Sequence, residues 1–390
     1  MSKSVLIIAG EASGDLHGYN LVRAIKELEP EVKFMGIGGE RLKEAGVRLI
    51  ASSSDMAVVG FTEVFTKLKN ILRAGIRIKK ILKEKRPELL ILIDYPDFNL
   101  YIAGYAKKMG IPVMYYISPQ VWAWRTGRIR KIKERVDRMV VILPFEKDFY
   151  EKRGVKVSYV GHPLIDAIPK DINREEIRIR LGVKGHYPVF GIIPGSRKEE
   201  IKNILPIMLK ALDILKSRYR YKNIIAYLPL ANTVDPGYVK RFIRDYPFIR
   251  LLPNQDIYNM LAICDIAFVT SGTATLETAI MGVPMIVAYK GSAISFCIAK
   301  MLVKVKYISL ANLIAGERIV PEILQNDLTP EAIVEEAIRI IEQQEVRDTM
   351  KSRLKSIRDM LGKGEASKRA ARIAIEMMGY PYGKNSISSR

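Results

Sequence analysis

Cysteine, histidine and long apolar runs are scarce in this sequence. It has two cysteines and three histidines in 390 residues. Cys264 and Cys297 lack metal-ligand spacing, and their low number fits buried thiols in a reducing compartment. No run approaches the ~18 apolar residues that a membrane-spanning helix needs, and the first apolar stretch, VLIIAG, is too short for the core of a signal peptide. We therefore expect a cytoplasmic protein without a spanning helix.

Acidic residues are few beside basic ones. The chain has 42 Asp and Glu against 63 Lys and Arg, for a net charge of +21. Such an excess predicts an anionic partner: a nucleic acid, an anionic membrane surface or a phosphorylated substrate. Apolar residues make up 48% of the chain, enough for large cores. At about 150 residues per domain, the length predicts two or three domains.

Short apolar runs alternate with helix-like segments in two successive sets. The runs of the first set lie at 4–10, 33–39, 88–94, 112–118, 139–144 and 157–161. After a segment rich in proline and charge, 161–176, the runs of the second set lie at 189–195, 223–229, 249–253, 265–270 and 285–290. This alternation is typical of parallel sheets with helices on both faces. We expect two doubly wound α/β domains that face a cleft, with ligands beyond the carboxyl ends of the strands.

The turn after the first run reads AGEASGDLHGYNL, residues 9–21. Its glycines are four apart, so it matches neither the dinucleotide fingerprint nor a Walker loop. Small residues at a strand-to-helix turn still let a ligand approach the backbone near a helix N-terminus. The alternative is a tight turn with Ser13 or Asp15 as the helix cap. The spacing alone leaves both open.

Two turns in the second half suit a nucleotide. In GIIPGSRKEEI, the pattern Ser196-x-x-Glu199 predicts a capping box, and helix-start N–H groups beside Arg197 suit a diphosphate. A capped helix with solvated charges is the alternative. In FVTSGTATLETAIMGVP, the segment 271–273 could hold phosphate at a helix start, and Glu277 lies one turn in. A carboxylate there can accept hydrogen bonds from both hydroxyls of a ribose.

Two segments are basic and amphipathic. In 116–138, Trp122 and Trp124 precede seven basic residues, a pattern that fits nucleic acid, phosphorylated ligands or the solvated face of a helix. In 61–86, apolar residues recur near helical period among lysines and arginines. That pattern fits a helix lying on an anionic bilayer or a surface helix facing the core.

The segment ILIDYPDFNL, residues 91–100, places two carboxylates at the end of an apolar run. They could be metal ligands, turn formers or a general base. With no Asp-x-Asp pattern in the chain and no nearby histidine, a metal pair is disfavoured, and a bound diphosphate would be neutralised by arginine and helix amides. We expect Asp94 to tie down the turn through backbone N–H groups. Pro96 should hold Tyr95 extended and so direct Asp97 outward.

Eight motifs taken together resemble the lipid-A-disaccharide synthase family. In order from residue 10 to residue 316 they are GEASGD, IDYPDFN, SPQVWAWR, LPFEKDFY, GHPL, PGSR, SGTATLE and YISLANLIAG. The resemblance implies a GT-B fold with two Rossmann-like domains, 1–165 for the acceptor and 166–344 for a UDP-sugar. It also implies that C-terminal helices, at about 345–378, pack back on the N-terminal domain. The tail, 379–390, should be poorly ordered.

The resemblance further implies a reaction. Such enzymes join UDP-2,3-diacylglucosamine to 2,3-diacylglucosamine 1-phosphate with inversion, forming a β-1′,6 bond and releasing UDP, without metal or cofactor. It places the catalytic base on Asp97, UDP contacts on Arg197 and Glu277, and a position near the donor on Asn312. The turns described above add further substrate-binding candidates: Ser13, Ser196, Ser271, Gly272 and Thr273.

The expected partners are the two lipid-like substrates and the anionic surface of the inner membrane, contacted through 61–86 on its cytoplasmic face. A homodimer is an open option, and specific nucleic-acid binding is not expected. The rival enzymes are other UDP-sugar GT-B proteins, such as a muramyl-lipid N-acetylglucosaminyltransferase or a UDP-sugar epimerase. The PDFN and WAWR motifs argue against both. A nucleic-acid-binding protein using 125–138 is the rival of a different class, and its binding should weaken steeply with salt.

Overall fold

The computed structural model describes residues 3–53, 64–123, 127–169, 171–183, 185, 187–217, 223–291 and 306–379. The chain divides into two compact units. The first comprises Met1–Asp166 with Leu361–Arg390, and the second comprises Ala167–Met360. Two of the expected features, Trp124 and most of the tail 379–390, lie outside the described residues.

The first unit is built on a parallel sheet of seven strands. They are β1 Ser4–Ala9, β2 Lys33–Gly38, β3 Arg48–Ser52, β4 Leu89–Ile93, β5 Val113–Tyr116, β6 Arg138–Val141 and β7 Val157–Tyr159. Their order in the sheet is β3-β2-β1-β4-β5-β6-β7. The order reverses between β1 and β4, so the turns that follow these two strands meet at the switch point, where doubly wound sheets bind ligands.

The second unit repeats this plan on a parallel sheet of six strands. They are β8 Val189–Ile193, β9 Ile225–Leu230, β10 Ile249–Pro253, β11 Ile266–Thr270, β12 Met285–Tyr289 and β13 Glu322–Leu324. The order is β10-β9-β8-β11-β12-β13. Here the switch point lies between β8 and β11, which pair in parallel with Val269 opposite Ile193.

Helices flank both sheets. In the described residues they are α1 Ala12–Leu28, α2 Glu40–Glu44, α3 Val64–Lys85, α4 Pro96–Lys108, α5 Arg128–Arg135, α6 Pro144–Glu151, α7 Leu164–Ala167, α8 Arg174–Arg180, α9 Lys198–Ser217, α10 Pro236–Ile243, α11 Ile257–Ile263, α12 Thr273–Ile280, α13 Leu310–Ala315, α14 Pro330–Glu342, α15 Gln344–Met360 and α16 Ala366–Met377. None of these is both long and apolar enough to cross a bilayer.

The cores explain why the strands read as continuous apolar runs. Every residue of β4 and all but the first of β1 are fully buried, because parallel strands with helices on both faces have no solvent-facing side. The prediction of two doubly wound α/β units is therefore confirmed.

The last helix, α16, packs back on α1 of the first unit. Its contact face is made of fully buried alanines, Ala366, Ala370, Ala371 and Ala374, which let the two helix backbones come close. The carboxylate of Asp166 accepts hydrogen bonds from the backbone N–H groups of Glu365 (2.5 Å) and Ala366 (3.1 Å) at the helix start. The guanidinium of Arg369 donates to the carbonyl of Val160 at 2.8 Å.

The returning segment begins later than the sequence predicts. We expected it from about residue 345, but α15 belongs to the second unit and packs on α12, α13 and α14. Its buried face, Met350, Leu354 and Ile357, covers these helices. The chain returns to the first unit only at Leu361, through Gly362 and Gly364, whose φ angles of 95° and 88° suit glycine.

Asp166→Ala should loosen α16. The substitution removes the acceptor for two N–H groups at the helix start, and losing a comparable cap costs about 1–2 kcal/mol. Hydrogen exchange of the α16 amides should therefore accelerate roughly 5–30-fold. The exposed helix residue Asp148 provides the control, Asp148→Ala, which should leave α16 unchanged. Unchanged exchange in Asp166→Ala would show that the alanine face alone holds the helix.

Candidate active site

The turn after β4 has an unusual backbone. Asp94 and Tyr95 both lie in the left-handed region, with φ of 49° and 47°. The side-chain amide of Asn99 donates to the carbonyls of Ile93 (3.1 Å) and Asp94 (2.6 Å), and the hydroxyl of Tyr115 also donates to the carbonyl of Asp94 at 2.6 Å. These hydrogen bonds fix a conformation that costs of order 1–3 kcal/mol per residue, and such strain persists mainly at functional sites.

The expectation that Pro96 holds Tyr95 extended is therefore wrong. A proline disfavours the right-handed helical region for the residue before it, but the left-handed region is held here by Asn99 and Tyr115. The ring of Tyr95 then turns back onto the β1 turn. A Cβ on Gly10 would lie 2.5 Å from Cγ of Tyr95, so only glycine leaves room for the ring.

The two residues proposed as caps of the first helix do not cap it. Neither Ser13 nor Asp15 caps α1, whose N-cap position, Glu11, makes no side-chain capping bond. Asp15 is buried and accepts hydrogen bonds from the backbone N–H groups of Gly39 (2.6 Å), Arg41 (3.1 Å) and Leu42 (3.2 Å). It therefore caps the neighbouring helix, α2.

The Asp94 carboxyl lies where the turns after β1 and β4 come together. Its pKa is raised to about 6, mainly by burial and also by the negative charge of Glu11, while the neighbouring Ser13 hydroxyl opposes the rise. The expected hydrogen bonds from backbone N–H groups to the Asp94 carboxylate stay a prediction.

Asp97 occupies the first turn of α4 and points outward. Its side chain is 77% exposed, whereas that of its partner, Arg128, is 12% exposed. Nη2 of Arg128 lies 2.7 Å from both Oδ1 and Oδ2 of Asp97. The sequence analysis counted Arg128 among seven basic residues of one segment and missed this pairing, because no sequence signal relates residues 31 positions apart.

In the second unit, the PGSR turn, residues 194–197, is closed by Glu200 and not by Glu199. Oε2 of Glu200 accepts hydrogen bonds from the backbone N–H groups of Ser196 (3.0 Å) and Arg197 (3.2 Å), and Oε1 accepts from Nη1 of Arg197 at 2.9 Å. The predicted capping box is thus wrong by one residue, since α9 begins at Lys198 and Glu200 is its third residue. Two amides and a guanidinium converge on one carboxylate, the arrangement that an anionic ligand would also need.

The neighbouring turn, after β11, starts α12 at Thr273. Gly272 has a φ of 154°, and apart from its chain neighbours no heavy atom of the described residues lies within 4 Å of where its Cβ would be, so the turn leaves open space there. Oγ of Ser271 donates to the carbonyl of Ile308 at 3.2 Å. Because β8 and β11 are adjacent, this turn and the PGSR turn lie side by side at the switch point of the second sheet.

Glu277 is half-buried one turn into α12. The hydroxyl of Tyr258 donates to its Oε1 at 2.9 Å. Burial raises the pKa of Glu277, and the Tyr258 hydrogen bond opposes that rise. Tyr258 therefore fixes the carboxylate in one orientation, a partner that the sequence motif does not reveal.

Asn312 is fully buried and its amide is used within the unit. Its Oδ1 accepts from the backbone N–H groups of Ile319 (2.8 Å) and Val320 (3.0 Å), and its Nδ2 donates to the carbonyl of Val320 (2.9 Å) and to Oε1 of Glu322 (2.8 Å). These bonds hold the loop after α13. Its predicted contact with a donor stays a prediction, while the geometry gives it the role of a brace.

A family model described as lipid-A-disaccharide synthetase matches residues 5–376. The chain belongs to the lipid-A-disaccharide synthetase family. The lipid-A-disaccharide synthase of Syntrophus aciditrophicus is 49% identical over 379 residues, covering 97% of this chain and 98% of the relative. That of Geobacter metallireducens is 43% identical over 378 residues, with 97% and 98% covered.

Solved structures place this family member among GT-B proteins. A UDP-GlcNAc 2-epimerase from Neisseria meningitidis bound to UDP-GlcNAc aligns with a TM-score of 0.60 at 15% identity, covering 96% of this chain and 100% of the other. A glycosyltransferase from Rickettsia africae aligns with a TM-score of 0.58 at 14% identity, covering 99% and 100%. At such low identity these likenesses establish the fold alone, which is the GT-B fold that the family resemblance implied.

The candidate site residues of this family member fall into two groups. Ser13, Asp94 and Asp97 gather at the switch point of the first sheet, and the turns with Ser196, Arg197, Ser271, Gly272 and Thr273 gather at that of the second, with Glu277 one helical turn away. Within the described ranges, no group of three or more His, Cys, Asp or Glu side chains is placed to hold a metal ion.

Glu200→Gln should tighten the binding of UDP. The amides and guanidinium that a diphosphate would use are held by the Glu200 carboxylate, and a neutral amide competes less well. We expect roughly fivefold higher affinity by calorimetry, the effect of weakening one charge-assisted hydrogen bond. The adjacent exposed residue offers a matched control, Glu199→Gln, which should change little. Weaker UDP binding in Glu200→Gln would mean that Glu200 supports the ligand instead of competing with it.

Proposed function

We propose that this protein is an inverting glycosyltransferase. It condenses UDP-2,3-diacylglucosamine with 2,3-diacylglucosamine 1-phosphate and yields the β-1′,6-linked disaccharide 1-phosphate and UDP. The observation that carries the proposal is the family match across residues 5–376. The exposed Asp97 carboxylate, at the switch point of the first sheet, supports it.

The chemistry requires one in-line displacement. The 6-hydroxyl oxygen of the acceptor attacks C1 of the donor sugar, the bond from C1 to the diphosphate oxygen breaks, and the hydroxyl proton passes to Asp97. General-base help of this kind contributes ~10²–10⁴ in rate. Asp97 suits the role because it is exposed and follows a turn that Asn99 and Tyr115 hold rigid. Such support keeps a catalytic group within the productive geometry.

The leaving group is stabilised by the second unit in this proposal. Negative charge develops on the diphosphate as the C1–O bond breaks, and preorganised donors lower that barrier. The donors are the backbone N–H groups of Ser196 and Arg197 and the guanidinium of Arg197, which already surround one carboxylate. Glu277, oriented by Tyr258, accepts hydrogen bonds from the ribose hydroxyls.

Asp97→Asn tests this mechanism. The amide is isosteric and can still accept a hydrogen bond from Arg128, but it cannot take the hydroxyl proton. Turnover, measured as UDP released in the presence of EDTA, should fall at least ~10²-fold, while the affinity for UDP stays within about twofold of wild type. Asp148→Asn, on the exposed face of α6, is the control and should keep full turnover. Near-wild-type turnover in Asp97→Asn would remove this residue from the role of base.

We further propose that the protein acts as a peripheral enzyme on the cytoplasmic face of the inner membrane. In α3, Ala74, Ile78 and Leu82 are buried, whereas Leu72 is 60% and Ile76 is 67% exposed. The helix thus has a core-facing side and a separate apolar side that faces outward among basic residues, the pattern of an interfacial helix. Residues 61–63 and the side chains of Phe65 and Leu68 lie outside the described structure.

The double substitution of Leu72 and Ile76 by serine should weaken binding to anionic liposomes. Burying a large aliphatic side chain contributes about 1.5–3 kcal/mol, so partitioning in a flotation assay should fall at least tenfold, with no change in thermal unfolding. A matched control is Ile179→Ser, which alters an even more exposed isoleucine of α8, at 79%. Unchanged liposome binding would assign the outward side of α3 to a protein contact. A homodimer contact would then be examined first, by sedimentation of the purified protein with and without the two substitutions.

A further inference from the structure

The Asp97–Arg128 pair has a one-sided geometry. A single nitrogen, Nη2 of Arg128, lies 2.7 Å from each carboxylate oxygen of Asp97. This is not the parallel two-nitrogen fork in which arginine and carboxylate commonly pair. Both oxygens that could receive a hydroxyl proton therefore contact the same guanidinium group. For the carboxylate to accept a proton from a substrate, this contact has to loosen.

The two partners differ in how they meet the solvent. The Arg128 side chain is 12% exposed and that of Asp97 is 77% exposed. The guanidinium is thus fixed at the back of the site, and the carboxylate is the partner that can turn away. An anion entering the site would compete with Asp97 for the guanidinium, and the planar fork of arginine matches phosphate as well as carboxylate.

A groove of about 510 Å³ surrounds the pair. Besides Asp97 and Arg128 it is lined by apolar and aromatic residues from α3, α4 and the β4 turn: Ile71, Tyr95, Pro96, Phe98 and Tyr101. Arg128 is the cationic member of this described lining. A groove of this kind fits an amphiphile that carries one anionic group beside hydrocarbon.

The acceptor in the proposed reaction has that chemistry. In a hexopyranose, the 6-hydroxyl and the substituent on C1 flank the same ring oxygen. A receptor for the 1-phosphate must therefore lie within about one sugar ring of the base that serves the 6-hydroxyl. Arg128 satisfies this condition because it touches Asp97 directly.

We propose that Arg128 is the receptor for the acceptor's phosphate, and that it exchanges Asp97 for that phosphate when the acceptor binds. This inference rests on the proposed function. The exchange releases both oxygens of Asp97 from Arg128 as the 6-hydroxyl arrives beside them. Arg128 thereby makes the enzyme selective for a phosphorylated acceptor and couples the release of Asp97 to acceptor binding, without taking part in the proton transfer.

Two substitutions should move phosphate selectivity in opposite directions. The quantity to measure is the ratio of affinities for diacylglucosamine 1-phosphate and for the same lipid without phosphate, each bound in detergent without donor. Arg128→Gln should lower this ratio roughly tenfold or more, since it removes a charge-assisted contact. Asp97→Asn should raise the ratio severalfold, because it removes the anion that competes with phosphate. Loss of a hydrogen bond to the 6-hydroxyl affects both lipids alike and cancels.

Matched controls separate this role from a structural one. Arg130→Gln, on the same helix but 86% exposed, should leave the ratio unchanged. Thermal unfolding and UDP affinity report whether each variant folds. If Arg128→Gln is unstable, Arg128→Lys replaces it in the test. This variant keeps the charge but loses the planar fork, so its affinity ratio should lie between those of the wild type and a neutral variant. An equal loss of both lipids in the Arg128 variants, or a ratio that Asp97→Asn leaves unchanged, would overturn the proposal.

A turnover assay with donor, run beside the binding assay, distinguishes this inference from the proposed function on which it rests. If the wild-type protein forms no disaccharide yet binds the phosphorylated lipid in an Arg128-dependent manner, the proposed reaction is wrong and Arg128 remains a phosphate receptor. If disaccharide forms equally well from both acceptors, the reaction stands and Arg128 is not the receptor.

Discussion

The hydrogen bonds to the carbonyl of Asp94 are the constraint on which the first site depends. Asn99 and Tyr115 donate to this oxygen at 2.6 Å each and hold two consecutive non-glycine residues in the left-handed region. That backbone starts α4 directly at Pro96, leaves Asp97 exposed in the first turn and sets the Tyr95 ring against Gly10. The strain is balanced by buried side-chain donors, so the carboxylate is presented on a rigid support.

The two units share one topological feature, a reversal of strand order, at which different kinds of side chain gather. In each sheet the strand order reverses once, and the turns at that reversal carry the polar side chains. The first sheet presents the exposed carboxylate of Asp97 beside the mostly covered guanidinium of Arg128, which suits the proposed proton transfer from a phosphorylated acceptor. The second presents amides and Arg197 around a carboxylate, which suits a diphosphate. In the proposed reaction, acid–base chemistry and nucleotide binding thus belong to turns of separate sheets.

The sequence predicted the fold and the site-bearing turns but not the contacts that make the site. Strands such as β1 and β4 are buried on both faces, so they can be recognised in the sequence as continuous apolar runs. The conformation of Tyr95 could not be predicted, because tertiary hydrogen bonds overrode the local preference before proline. The residue that closes the start of α9 is Glu200 and not the predicted Glu199, because a capping pattern depends on where the helix begins. The Arg128–Asp97 pair could not be predicted because it joins distant segments of the chain. The late return at Leu361 could not be predicted because amphipathic periodicity does not say which core a helix covers.

The most direct measurement is the product formed by the purified wild-type protein from UDP-2,3-diacylglucosamine and 2,3-diacylglucosamine 1-phosphate in EDTA. Mass spectrometry would identify the disaccharide, and the proton coupling constant at its new anomeric carbon would give its configuration. We expect one UDP released per disaccharide and a β-1′,6 linkage. An α linkage would contradict the single displacement with Asp97 as base, and release of UDP without disaccharide would contradict the proposed reaction itself.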